Sequence, residues 1–283
     1  MHTSLDAIGI GCRRCASSFL HDCLNDHPDV LKPPRALHYF SEFADKGPDW
    51  YFSQLPEKRV GSVLIEYSVS YAYPEYAEAA AQRMFTQFPD AKLFVSVRNP
   101  VDRAFSDYLR SVRNLEIPPD KSFEESLESV PLFLERGRYQ TLLEPYFERF
   151  PSDRILVLYF DDLRSGAGSY LQPLYRFLEI QEDVSPREGR RTREGGRSLR
   201  WPVLQSAILT AKKILDDGAS ALHVDNAWQT TKRKFLRPYQ VLRGANTLPA
   251  TMNKKTRENL RSYYDADIAW LSQMTGRNLK GWK

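Results

Sequence analysis

The stretch AIGIGCRRCASSFLHDCL, from Ala7 to Leu24, decides the fold of this chain. It begins with apolar residues, continues through a short run of small and cationic residues, and ends in an apolar-periodic segment. This order predicts a strand, a loop and a helix. Backbone N–H groups at the start of such a helix carry a partial positive charge and lack intrahelical acceptors. The stretch therefore predicts a loop that wraps an anionic oxygen cluster, with an ordinary turn between strand and helix as the alternative.

The residue types of the loop suit an anion. Arg14 adds a full positive charge, and Ser17 and Ser18 add hydroxyl donors. The predicted anion-binding set is Arg13, Arg14, Cys15, Ala16, Ser17, Ser18 and Phe19.

Three cysteines fall in the same stretch, at Cys12, Cys15 and Cys23. An odd number, clustered near the start of the chain, does not form a disulfide framework. A metal or redox role for the C-x-x-C pair would need a second pair or a thioredoxin-like context, so small residues that fill a tight turn are the better interpretation. Free thiols predict a reducing compartment, the cytoplasm.

Length and composition bound the class of protein. The 283 residues, 42% of them hydrophobic, can bury a substantial core. No apolar run approaches the ~20 residues of a spanning helix, and no secretory signal opens the chain, so we expect no stable membrane insertion. The net charge is +4, with basic residues concentrated in 187–200 and 231–244. These runs are either solvated faces or the surroundings of an anionic ligand, and we expect no nucleic-acid partner.

Apolar strands alternate with amphipathic helices through the first two thirds of the chain. Strands are predicted at 61–68, 91–100 and 154–163, an extended segment at 30–40, and helices at 76–88, 101–113, 139–150 and 170–178. This alternation predicts an α/β fold with three layers, in which helices cover both faces of a mostly parallel central sheet. We expect one domain over 1–283, with a core at about 5–180. A basic loop and a helical C-terminal lobe follow at about 185–283, with helices at 201–215, 227–241 and 254–274 and a turn at 247–249.

A second cationic motif, R-N-P-x-x-R-x-x-S, runs from Arg98 to Ser106. Arg98 stands where a buried strand ends, which is where open α/β sheets bind ligands. A guanidinium offers a planar fork to phosphate oxygens, and the hydroxyl of Ser106 offers one more donor. Following a strand, in a chain that already has the first loop, this motif strengthens the prediction of a phosphate-binding site.

With these two motifs the chain resembles the sulfotransferases that use 3′-phosphoadenosine 5′-phosphosulfate (PAPS), in particular bacterial sulfotransferase domains related to heparan sulfate sulfotransferases. The loop at 11–18 is similar to that family's 5′-phosphosulfate loop, G-x-x-K-[CGS]-G-[ST]-[ST], and 98–106 to its 3′-phosphate motif. Further similar segments are 37–40, 155–163 and 257–282. The resemblance implies a P-loop-like phosphosulfate loop, PAPS as donor, PAP as product and no metal.

Three residues depart from the family pattern. Arg14 stands in place of the loop Lys, and Ala16 in place of the loop Gly. In relatives the Glu of K-E-x-H-[FY]-F is the catalytic base, whereas this chain has Ala36 there. His38 is the nearest replacement because imidazole suits base work near neutral pH. Glu66, which matches the Glu of the family's E-x-S-x-x-Y segment, is a second candidate, with an orienting or substrate role favoured over that of a base.

The remaining similar residues leave alternatives open. Tyr139 matches a family position near the cofactor, although a buried aromatic is the favoured interpretation. Arg197, Arg243 and Gly244 are either nucleotide-closing residues or parts of solvated loops. With Arg14, His38 and Glu66 as catalytic candidates, the predicted activity is sulfuryl transfer to a hydroxyl or amine of a small-molecule or glycan acceptor. The alternatives are a catalytically impaired PAP- or glycan-binding protein and a P-loop-type nucleotide kinase.

Overall fold

The computed structural model describes residues 5–33, 36–114, 116–118, 121–184, 198–199, 247–248 and 251–282. Five of the strands form one sheet, in the order β2-β3-β1-β4-β5, and every pair in it is parallel. Their bounds are β1 Ala7–Gly9, β2 Val30–Leu31, β3 Val63–Tyr67, β4 Lys92–Val97 and β5 Ile155–Tyr159. The α/β fold predicted from the alternation of elements is therefore confirmed.

The helices are numbered here in chain order over the described residues. They are α1 Ser17–Asp26, α2 Gly47–Gln54, α3 Ala77–Gln87, α4 Pro100–Arg113, α5 Phe123–Ser129, α6 Leu132–Glu135, α7 Tyr139–Arg149, α8 Ala167–Leu178, α9 Lys254–Tyr263 and α10 Asp265–Thr275.

The chain divides into two compact units. The first comprises Met1–Ala104, Leu134–Arg193 and Glu258–Lys283, and it holds the five-stranded sheet. Helices α1 and α8 pack with the sheet in one hydrophobic cluster, which includes Leu20 and Leu174, both fully buried. Because parallel strands are buried on both faces, β4 is an almost continuous apolar run, Lys92–Val97, in which only the first residue is partly exposed.

The central strand β1 needs a glycine at its end. A Cβ added to Gly9 would lie 1.9 Å from the Tyr67 ring and 2.8 Å from the Phe94 ring. These two rings stack with centroids 5.5 Å apart, so the side chains of β3 and β4 close over the end of β1. The glycine therefore allows the two neighbouring strands to pack around the start of the loop.

The second unit comprises Phe105–Phe133 and Glu194–Arg257. Within it, Ser122 and Glu125 have the S-x-x-E spacing typical of a capping box, and in the structure Ser122 caps α5 in that way. Phe105 and Phe123 pack edge to face at 5.2 Å. The predicted turn at 247–249 includes a short strand, β7 Thr247–Leu248, which pairs antiparallel with β6 Ser198–Leu199.

Some element boundaries differ from the predicted ones. In the described part of the extended segment predicted at 30–40, 30–33 and 36–40, the strand is limited to the two residues of β2. The predicted single helix at 254–274 is two helices, α9 and α10, separated at Tyr264. The helices predicted at 201–215 and 227–241 lie outside the described residues. Among the described helices, none combines the length and the apolar content that crossing a membrane requires.

Candidate functional site

The order of the strands sets the position of the candidate site. β1 lies between β3 and β4, with Gly9 opposite Tyr67 on one side and Phe94 on the other. Chain segments that leave the carboxyl ends of these three strands therefore emerge side by side, at the point where the strand order reverses. Backbone hydrogen bonds join them, since Ser68 N donates to Gly9 O at 3.2 Å and Ile10 N to Phe94 O at 2.9 Å. The predicted loop, Glu66 and Arg98 all belong to this edge.

The loop between β1 and α1 has the backbone of an anion cradle. Arg14 and Ala16 have positive φ values of 70° and 66°, and α1 begins at Ser17. Alternation of left-handed and ordinary backbone turns successive N–H groups toward one concave side. Ala16 occupies the N-cap and gives no side-chain cap, and the first turn holds no acidic residue. The first N–H groups of α1 thus receive no hydrogen bond from the N-cap side chain, an arrangement that fits a phosphate or sulfate group.

The side chains of the loop divide into core and surface groups. Cys12 and Cys15 are buried, and Phe19 is 7% exposed and packs against Tyr170 with ring centroids 6.2 Å apart. The hydrogen bond to Cys15 and burial raise the pKa of the Cys12 thiol. All three cysteines are free. The partly or fully exposed side chains of the predicted set are those of Arg13, Arg14, Ala16, Ser17 and Ser18.

Arg98 follows β4 and is held by a buried tyrosine. The Tyr139 hydroxyl donates to Arg98 O at 2.6 Å and accepts from Arg98 N at 3.1 Å. The same hydroxyl lies 3.7 Å from Cys15 Sγ. The Arg98 guanidinium lies 4.4 Å above the Phe160 ring, and its Nε is buried with no hydrogen-bond partner among the described residues. Tyr139 therefore ties the loop after β1 to the arginine after β4, and the orphaned Nε fits a further anionic acceptor.

The C-terminal segment docks on the same side of the sheet. Asn99 Nδ2 donates to Trp282 O at 3.2 Å, and the Trp282 indole donates to Asp161 Oδ2 at 2.6 Å. Arg277 pairs with Asp162 at 2.5 Å. Asp161 and Asp162, which follow β5, thus anchor the C-terminal segment close to Asn99, the residue after Arg98.

Glu66, on β3, is fully buried and contacts only protein groups. Its Oε1 accepts from Ser68 Oγ at 2.5 Å and from Leu37 N at 3.4 Å, while Oε2 has no partner among the described residues. Burial raises the pKa of Glu66 to about 7, against the hydrogen bonds from Ser68, Tyr71 and Leu37, which lower it. Glu66 therefore holds the segment 36–38 through the hydrogen bond from Leu37 N, and none of the surface of Glu66 is exposed.

His38 lies on that segment in a left-handed backbone conformation, with φ 54°. Its N–H donates to Ser68 Oγ at 3.0 Å, and its Nδ1 is 2.6 Å from Ser70 Oγ. Its side chain is 25% exposed, and Glu42 Oε1 lies 3.9 Å from Nδ1. Burial lowers the pKa of His38, and the charge of Glu42 partly opposes this shift. An uncharged imidazole with a positioned ring is what base chemistry needs.

The other predicted site residues belong to the second unit or fall outside the described residues. Ser106 is 5% exposed in α4 and belongs to the second unit. Arg197, Arg243 and Gly244 lie outside the described residues. Their roles, like that of Ser106, stay predictions.

Sequence reasoning missed three contributors to the site. Ser70 and Ser41 were not singled out, although Ser70 contacts His38 and lies inside the E-x-S-x-x-Y segment. The bridge from Tyr139 to Arg98 was also missed, because the two residues are 41 positions apart. The spacing of E-x-S-x-x-Y carried a signal for Ser68, which donates to Glu66 Oε1, and for Tyr71, whose hydroxyl accepts from Phe40 N at 3.5 Å.

The fold is thus an α/β sheet with a cradle-shaped loop after β1 and an arginine after the adjacent β4, an arrangement typical of proteins that bind phosphorylated nucleotides. Residues 6–192 match the family described as "Sulfotransferase domain". Since that match covers more than half of the chain, the chain belongs to the sulfotransferase domain family.

Curated relatives and a solved structure agree with that family. The chain is 30% identical over 186 residues to mouse (Mus musculus) heparan sulfate glucosamine 3-O-sulfotransferase 3B1, covering 63% of this chain and 47% of the relative. It is 28% identical over 247 residues to human (Homo sapiens) heparan sulfate glucosamine 3-O-sulfotransferase 5, covering 82% and 69%. The match thus spans about half the length of the mouse relative. The crystal structure of a sulfotransferase from Alicyclobacillus acidocaldarius superposes with a TM-score of 0.68 at 22% identity, over 99% of both chains, which shows a shared fold.

Proposed function

We propose that this chain transfers a sulfuryl group from PAPS to a hydroxyl or amine of an acceptor, a carbohydrate or glycolipid. The observation that supports it most is the meeting of three groups at one sheet edge: the loop with Arg14 and Ala16 in the left-handed region, Arg98 after β4, and His38 beside β3. The acceptor class rests on the names of the relatives, which are heparan sulfate sulfotransferases.

The loop and Arg98 would bind the two anionic ends of the donor. The N–H groups at the start of α1 and the Arg14 guanidinium would hold the 5′-phosphosulfate and stabilise the charge that grows on the departing phosphate. Arg98 would hold the 3′-phosphate, and its buried Nε, which has no partner in the part of the chain that the structure describes, would gain an acceptor there. PAPS, when bound, supplies the sulfuryl group, and PAP leaves as product.

His38 would act as the base. It would accept the proton of the acceptor hydroxyl as the new sulfur–oxygen bond forms and the bond to the 5′-phosphate oxygen breaks. Its lowered pKa keeps the ring neutral near physiological pH. Glu66, fully buried beneath the same segment, would orient that segment through Ser68 and Leu37 rather than touch the acceptor.

The test is PAP release from PAPS with a panel of heparan-type glycans, glycolipids and small hydroxyl compounds. We expect Arg14→Ala and Arg98→Ala to abolish turnover and to weaken PAP binding. We expect His38→Ala to abolish turnover with PAP affinity unchanged. Arg176→Ala is the matched control, because Arg176 is exposed and pairs with the surface residue Glu182. Full turnover in the Arg14 and Arg98 variants would refute the proposal.

The alternative is a protein that binds PAP or a glycan without turnover, and Ala36 at the expected base position favours it. Tight PAP binding with no PAP release across the whole acceptor panel would support that alternative. No observation of comparable weight supports a nucleotide kinase. Phosphoryl transfer from ATP in the same assay would indicate kinase activity. The cytoplasmic location and the single-domain organisation stay predictions, which fractionation and limited proteolysis test.

A further inference from the structure

A closed set of hydrogen bonds surrounds one edge of the His38 ring. Nδ1 lies 2.6 Å from Ser70 Oγ, and Ser70 Oγ lies 2.6 Å from Ser41 Oγ. Ser41 Oγ in turn lies 3.2 Å from the backbone carbonyl oxygen of His38. Ser70 is fully buried and Ser41 is 7% exposed, so bulk water does not compete for these bonds. The path therefore begins and ends on the same histidine.

Counting hydrogens leaves two directions for this path. Each serine hydroxyl has one hydrogen to donate, and a carbonyl oxygen only accepts. In one direction Ser41 donates to Ser70 and Ser70 donates to Nδ1; in the other, Ser41 donates to the carbonyl of His38 and the hydrogen between the two serines comes from Ser70. In this second direction Ser70 has only lone pairs left for the ring, and Nδ1 must be the donor. A neutral imidazole carries one N–H, so the other ring nitrogen, Nε2, holds a lone pair.

The negative charge of Glu42 favours the direction in which Nδ1 carries the proton. Glu42 Oε1 lies 3.9 Å from Nδ1, so a negative charge faces the nitrogen that carries the proton. Among the described residues no group hydrogen-bonds to Nε2. The backbone of His38 is held independently, by the bond from its N–H to Ser68 Oγ at 3.0 Å and by Phe43 N, which donates to its carbonyl at 3.1 Å. The serines at Nδ1 are thus left to set the tautomer.

We propose that Ser70 and Ser41 are positioning residues that hold His38 in the Nδ1–H tautomer, with Nε2 unprotonated and able to accept a proton. This inference rests on the proposed function for its purpose, because only a basic Nε2 uses such an arrangement. It makes a specific statement about Ser41, which acts on the ring without touching it. Removing the Ser41 hydroxyl frees the hydrogen of Ser70, which then donates to Nδ1 and moves the ring proton to Nε2.

The test reads the tautomer directly, in the full-length protein without PAPS or acceptor. Long-range proton–nitrogen correlation spectra of ¹⁵N-labelled protein at about pH 8 distinguish the two neutral tautomers of a histidine ring. Loss of one signal set in His38→Ala assigns it among the five histidines. We expect the Nδ1–H pattern in the wild type, the Nε2–H pattern in Ser41→Ala, and a mixture in Ser70→Ala. Ser68→Ala is the matched control, because Ser68 contacts the backbone of His38 and not its ring.

The same variants are assayed for turnover. We expect Ser41→Ala to lower kcat about 10-fold or more with the KM for PAPS unchanged, since the base would present an N–H to the acceptor. An Nε2–H pattern in the wild type, or an unchanged Nδ1–H pattern in Ser41→Ala, would overturn the inference. Full turnover in His38→Ala would overturn the base assignment of the proposed function and leave the tautomer result standing, so the two failures are separate. If Ser41→Ala does not fold, Ser70→Ala carries the same test, and an unchanged tautomer there overturns the inference.

Discussion

Replacing Tyr139 with Phe removes one oxygen atom and breaks the connection between the two phosphate motifs. The hydroxyl holds both backbone groups of Arg98, at 2.6 Å and 3.1 Å, and Tyr139 is fully buried. A partly buried backbone group left without its partner costs about 1 to 3 kcal/mol. With two such groups, we expect Tyr139→Phe to lower the free energy of unfolding by about 3 kcal/mol.

The same change releases Arg98 from its position. The guanidinium at the predicted 3′-phosphate site would then spend part of the time displaced from its place over Phe160. We expect PAP affinity to fall about 10-fold, which corresponds to about 1.4 kcal/mol. Urea denaturation followed by circular dichroism measures the first effect, and titration calorimetry with PAP the second.

Tyr146→Phe is the matched control for this prediction. Tyr146 lies on the same helix, α7, is equally buried, and donates one hydrogen bond, to Tyr71 O at 2.8 Å. We expect Tyr146→Phe to lower stability by about 1 kcal/mol with PAP affinity unchanged. Equal stability losses in the two variants, together with wild-type PAP affinity in Tyr139→Phe, would refute the role assigned to Tyr139.

Three further predictions concern stability. Because the folded Glu66 carboxyl has a pKa of about 7 and its ordinary value is 4.5, the folded state holds a proton that the unfolded state releases between these values. Wild-type stability relative to Glu66→Gln should therefore fall as pH rises from 4.5 to 7, by at most about 1.4 kcal/mol per pH unit, and parallel stability curves would contradict this. Ser122→Ala removes the hydroxyl that accepts from Glu125 N, keeps the bond from the backbone N–H of residue 122 to Glu125 Oε2, and should cost about 1 kcal/mol. Amide hydrogen exchange within α5 should then be faster than in the wild type, and an unchanged exchange rate would contradict this prediction. Gly9→Ala places a Cβ 1.9 Å from the Tyr67 ring and should destabilise by about 3 kcal/mol in urea. Tyr67→Ala should recover part of that loss in the double variant, and additive losses would argue against the contact.

Local patterns in the sequence were enough for the elements that carry the fold. The apolar runs of β4 and β5 are strands because buried parallel strands have no polar face, and the structure keeps them at Lys92–Val97 and Ile155–Tyr159. The capping box at Ser122 was readable because both of its partners lie within one turn. The prediction that segment 30–40 is extended throughout was wrong. Local patterns could not show its conformation, because the segment is held by contacts with Ser68, Ser70 and Tyr71, some thirty residues away.

The sequence by itself determined the family, the parallel sheet and the two cationic motifs at 11–18 and 98–106, because each depends on residues close together in the chain. Tertiary structure alone decided how those motifs are joined, through Tyr139, and which groups surround His38. It also buried Glu66 completely, since the segment of 36–38 closes over the end of β3. Hydrogen-bond partners and burial depend on which distant segments meet at a sheet edge, and strand order, which no local pattern encodes, sets that meeting.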